Sequence, residues 1–94
     1  MFPETSSQPC LYQNYPNPFY YSTKISYSFN EPGFVTLNIY DLQGRKIKSL
    51  VNEFQKAGTF SVIVGGSELT TGIYFYKMEV GNEYMDVKKL ILLR

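Results

Sequence analysis

The sequence predicts an all-β fold, an Ig-like antiparallel β-sandwich of about six to seven strands with Greek-key connections. Three observations lead there. From Thr23 onward apolar residues recur with period two. Gly, Pro and Asn turn signals interrupt that alternation at short intervals. No helix-length window carries a 3.6-residue apolar stripe; the nearest, Lys46 to Gln55, is rich in the Val, Ile and Phe that favour strands.

The first motif, "LYQNYPNPF" (11–19), suits neither helix nor sheet. Tyr15 and Asn17 each precede a proline and are pushed toward extended or polyproline geometry. Pro16 and Pro18 have no N–H to donate. A polyproline turn would place Tyr12, Tyr15 and Pro18 on one face and Pro16 with Phe19 on another. The prolines are spaced PxP rather than PxxP, which argues against SH3-type recognition. The segment reads as a stiff clasp laying its rings over the sandwich.

"KISYSF" (24–29) is the first full strand, with Ile25, Tyr27 and Phe29 on one face. "EPG" (31–33) turns the chain into a second strand, where Val35, Leu37 and Ile39 alternate with Thr36, Asn38 and Tyr40. "DLQGRK" (41–46) is a hairpin connection into "KIKSLV" (46–51), whose Lys46 and Lys48 predict an edge position. "TFSVIV" (59–64) places Phe60, Val62 and Val64 on one side. Gly65-Gly66 breaks it, and "SELTTG" holds at most one short helical turn. "IYFYKMEV" (73–80), apolar on both faces as far as Met78, predicts a central strand packed on two sides. After the Gly81-Asn82 turn, "EYMDVKKLILL" (83–93) closes the fold, with a free end open to strand addition.

Ninety-four residues with nine Tyr and seven Phe supply one compact core. Nine basic against eight acidic residues give no electrostatic case for nucleic acid or an anionic membrane. The longest apolar run, Leu90 to Leu93, is far below a membrane span. The single Cys10 excludes an intramolecular disulfide and reads as a free thiol. Met1–Pro9 lacks the charge-then-apolar pattern of an export signal, and its abrupt polar start points to a fragment of a longer chain.

The absences also discriminate. With no histidine and one cysteine, the commonest general base and any zinc site built from those ligands are missing. No phosphate loop or calcium loop is present. Glu79 and Asp86 are an example of a carboxylate pair that the last hairpin could bring together. The expectation is therefore no enzyme, no cofactor, no metal and no small-molecule substrate. Tyr12, Tyr15, Tyr20, Tyr21, Tyr40, Tyr74 and Tyr76 invite a sugar-stacking reading. Without Trp, core packing takes most of that weight.

The ordered pieces "LYQNYPNPF", "STKISYSF", "GFVTLNIYDLQGRKIKSLV", "AGTFSV", "TTGIYFYKMEVGN" and "KKLILLR" resemble the type A C-terminal sorting domain of the type IX secretion system (the Por system), found on exported proteins of Bacteroidetes and related bacteria. The resemblance covers about Leu11 to Arg94, leaving residues 1–10 as linker. It implies an address label rather than a catalyst, carried by an N-terminal cargo domain. By that likeness the partners are an outer-membrane translocon and a sortase-like peptidase, and the route runs through the periplasm to the cell surface or beyond. It also implies translocon recognition by Lys88, Lys89, Leu90, Ile91, Leu92, Leu93 and Arg94. Structural roles fall to Tyr15, Pro16, Asn17, Pro18, Phe19, Asp41, Gly44, Arg45, Gly58, Gly72, Tyr74 and Tyr76. Two departures stand out: Tyr20-Tyr21 follow "NPF" where the family continues with Asn-Pro, and Val64-Gly65-Gly66 replace an aromatic-Asp-Gly. The alternatives are a carbohydrate- or surface-binding module and a structural Ig-like module resembling the hook-capping proteins of flagella.

Overall fold

A computed structural model describes residues 9–93. The strands are β1 (Cys10–Leu11), β2 (Ser22–Phe29), β3 (Gly33–Tyr40), β4 (Lys46–Gln55), β5 (Gly58–Gly65), β6 (Gly72–Val80) and β7 (Tyr84–Leu92), with a 3₁₀ turn at Gly66–Glu68. One sheet has the order β1-β2-β5 and the other β4-β3-β6-β7, all neighbours antiparallel. The chain therefore changes sheet after β2, β4 and β5. That is the Greek-key assignment of an Ig sandwich, with β2 and β5 facing β3, β6 and β7 and with β4 added beyond β3.

Period-two alternation positions the core. Ile25, Tyr27, Phe29 and Val64 from one sheet meet Val35, Leu37, Ile39, Tyr74, Tyr76, Met78, Leu90 and Leu92 from the other. Each such apolar side chain contributes about 1.5–3 kcal/mol when removed from water. Tyr27 stacks on Phe60 at 5.5 Å between ring centroids, and Phe29 on Phe60 at 5.7 Å. Tyr74 donates from its hydroxyl to the Thr70 carbonyl at 2.6 Å, the backbone-anchored tyrosine found at the E–F corner of Ig sandwiches.

Lys46 and Lys48 do mark an edge: β4 is an outer strand, and two register shifts opposite β3 further blunt it. The expectation for β6 needs correction. It is central in its sheet, but only Tyr74, Tyr76 and Met78 are buried, while Ile73 is exposed on the outer face. Among the described residues there are two sheets to pack, so one face of β6 has no partner layer. Glu79 and Asp86 do not form a carboxylate pair either. Asp86 lies opposite Met78 and Glu79 opposite Met85, so the two point to different faces.

The turn "DLQGR" explains its own composition. Asp41 Oδ1 accepts from the Gln43 and Arg45 amides, both at 2.9 Å, and its Oδ2 from Arg45 Nε at 2.8 Å. The hydrogen bond donated by the Arg45 backbone N–H holds the Asp41 carboxyl below its usual range. Gly44 takes φ +85°, a conformation that side chains resist. Gly58 opens β5 opposite Phe29, and Gly72 opens β6 opposite Leu92.

Candidate functional site: the clasp and the terminal strand

The opening motif and the terminal motif, far apart in sequence, meet in space. After β1, the chain runs beside β2 through Tyr12 N donating to Ser26 O at 3.0 Å and a reciprocal pair between Tyr15 and Lys24. It then crosses the side of the sandwich to the outer edge of β7. There Gln13 Nε2 donates to Lys89 O at 2.7 Å, and Ile91 N donates to Asn17 Oδ1 at 3.0 Å. Phe19 N donates to Ile91 O at 3.0 Å and Leu93 N to Phe19 O at 2.9 Å, a short parallel bridge opposite Leu92. The Tyr15–Pro16 and Asn17–Pro18 bonds are both cis.

Two expectations change here. The clasp holds, but of its aromatic rings only Phe19 is buried. Tyr15, Pro16 and Pro18 are exposed, so the two-faced polyproline arrangement is not formed. Main-chain pairing with β2 and β7 fixes this segment instead. The end of the terminal strand is also not open: from Lys89 to Leu93, Gln13, Asn17 and Phe19 already occupy its outward backbone groups.

A buried polar knot anchors the clasp. The Tyr76 hydroxyl accepts from Asn14 N at 2.7 Å and donates to Tyr12 O at 2.8 Å. Asn14 Nδ2 donates to Thr23 Oγ1 at 2.9 Å, and Thr23 Oγ1 to Pro16 O at 2.7 Å. Burial pushes the Tyr76 phenol up to about 12. Sequence reasoning placed Tyr76 as structural but missed Gln13, Asn14 and Thr23. An Asn just before an X-Pro pair, favoured in turns for its backbone-bonding side chain, was the available signal.

The terminal motif divides by strand parity. Leu90 and Leu92 are fully buried core residues. Lys89 and Leu93 are exposed, and Ile91 is half-buried on the outer face. Lys88 is half-buried, 3.9 Å from Asp86 Oδ2. Arg94 lies outside the described residues, as do Met1–Gln8 of the expected linker. Tyrosines also divide: Tyr27, Tyr74 and Tyr76 are buried, whereas Tyr15 is 80% and Tyr21 90% exposed, with Tyr12 and Tyr20 also outward. For those four, core packing is the wrong assignment, because they sit on the clasp rather than on an inward strand position.

Residues 13–93 match the family described as the secretion system C-terminal sorting domain. The chain belongs to that family. A search of curated proteins finds no match. The sorting domain thus serves as a type IX secretion signal, interacting with that machinery for export of a fused N-terminal cargo across the outer membrane. Its family is not an enzyme family. Among the described residues no three His, Cys, Asp or Glu side chains gather as a metal site, and no helix is long and apolar enough to cross a membrane.

Proposed function

We propose that the translocon reads the sorting domain as a folded surface composed of the clasp and the terminal strand together. Lys89 and Leu93 contribute from the strand; Tyr15, Tyr20 and Tyr21 contribute from the clasp. The observation that carries this reading is the set of hydrogen bonds from Gln13, Asn17 and Phe19 to residues 89–93. They hold the two motifs as one body, and the tyrosines left exposed on the clasp side are of a residue type enriched at protein contacts. Leu90 and Leu92 support recognition only indirectly, by keeping the strand in the core. After transit through the periplasm, a sortase-like peptidase cuts in the segment before Cys10, and the cargo is anchored at the cell surface. Support for that position is local: Cys10 pairs with Ser28 and Leu11 is buried, so a cut further in would remove sandwich structure.

The test fuses this chain behind a signal peptide and a fluorescent cargo in a type IX-competent host. The native domain is expected to deliver cargo outside, and the Lys89→Glu/Leu93→Ser double variant to strand it in the periplasm. Periplasmic retention of cargo fused to the native domain would overturn the reading. Truncating residues 90–94 is a poorer test, since it removes two core leucines and with them the fold.

A further inference from the structure

The sandwich manages its strand edges unequally. The β7 edge is covered from Lys89 to Leu93 by the clasp. β4 carries two register shifts and two lysines, and β1 is only two residues long. Among the described residues, β5 has none of these protections. Its register with β2 runs unbroken from Ser22↔Gly65 to Phe29↔Gly58, and its sequence GTFSVIVG contains no charge and no proline. Gly66 N donates to Tyr21 O at 2.7 Å. By alternation, residues 64, 62 and 60 therefore bond to β2, and Thr59, Ser61 and Ile63 aim their backbone groups away from the sheet. Phe60 and Val62, on the inner row, are only half-buried, and Ile63 is 63% exposed on the outer face. An uncharged, straight, partly apolar edge of this kind is a template for strand addition.

We propose that the occupant of this edge is a second copy of the chain, with β5 pairing antiparallel to β5 about a two-fold axis. Self-complementarity argues for it. When Ser61 lies opposite its own copy, Phe60 faces Val62 of the second copy and Thr59 faces Ile63, each pair occurring twice. Aromatic–β-branched and β-branched pairs are the favourable cross-strand combinations. Lys56 then falls opposite Gly66, so no like charges oppose. The result is one continuous six-stranded sheet, β1-β2-β5 followed by β5-β2-β1, with Phe60 and Val62 covered. A single strand pairing of this length buries less than the roughly 1,000 Å² of a stable interface, so the dimer is weak and forms only at high concentration.

Sedimentation equilibrium of the full chain tests this, with hydrogen exchange to map the interface. The native chain is expected to dimerise with rising concentration and to gain amide protection at Thr59, Ser61 and Ile63. Ile63→Lys should weaken the dimer at least about tenfold, which corresponds to about 1.4 kcal/mol, with an unchanged thermal midpoint. Ser61→Pro, which removes only an outward-facing N–H, should do the same. A chain monomeric at about 1 mM, or an Ile63→Lys variant that dimerises as tightly as the native chain, would overturn the proposal. So would β5 amides protected only when purified outer-membrane export components are added, which would assign the edge to a strand of a different protein.

Discussion

Tyr76 joins the core to the clasp through one hydroxyl that both accepts and donates. Tyr76→Phe keeps the ring but leaves the Asn14 amide buried without its acceptor. The expected cost is about 1–3 kcal/mol of folding stability, read as a lower denaturation midpoint at constant slope; a change within a few tenths would show the knot to be dispensable. The same phenol sets an alkaline limit. Its folded value of about 12 lies above the ordinary 10.0, so folding favours the protonated form. The stabilisation is whole below about pH 10 and is lost as pH climbs toward 12. Tyrosinate absorbance should place Tyr76 last to ionise, and Tyr76→Phe should flatten that part of the stability profile. Ionisation of all nine tyrosines near 10 would contradict the buried geometry.

The clasp belongs to the scale of elements, and there Phe19 dominates. Its ring is fully buried, and its backbone brackets Leu92 on the edge of β7. Phe19→Ala should cost about 3–5 kcal/mol, a large part of the roughly 5–15 kcal/mol holding a domain of this kind. Asn17→Ala removes one acceptor from a partly exposed amide and should cost about 1 kcal/mol. Native-state hydrogen exchange of Ile91 and Leu93 should accelerate in both; equal exchange to the native chain would mean that the clasp does not hold the edge. Strands 22–29 through 84–92 were legible because each needs only local alternation, and Lys46 and Lys48 correctly marked an edge. The meeting of 13–19 with 89–93 was not. It rests on backbone groups and on Asn and Gln amides, which carry no periodic signature and whose partners lie more than seventy residues away. The tyrosines show the same division. Strand parity placed Tyr27 in the core and the family resemblance marked Tyr74 and Tyr76 as structural, while Tyr15, Tyr20 and Tyr21 have no strand position from which burial could be read.

At the scale of the whole molecule, residues 13–19 and 89–93 are one structural object. A linear tail signal and a folded composite surface therefore make different demands. A linear signal needs only residues 88–94, whereas the composite also needs the clasp's exposed rings. Close approach around the clasp is tight: a Cβ at Gly66 would lie 2.9 Å from the Tyr20 carbonyl oxygen and 3.2 Å from Leu92. Gly66→Ala should accordingly destabilise by about 1–3 kcal/mol without touching either surface. Tyr20 and Tyr21 are different, since their side chains are exposed and can be exchanged with little effect on the fold. The most direct measurement is cargo export by the Tyr20→Ser/Tyr21→Ser variant, residues 88–94 untouched, with thermal unfolding measured in parallel. A composite surface predicts an unchanged midpoint and export reduced at least about tenfold, as loss of aromatic anchors does in other interfaces. Export at the native level from an equally stable variant would contradict it and return the signal to the tail alone.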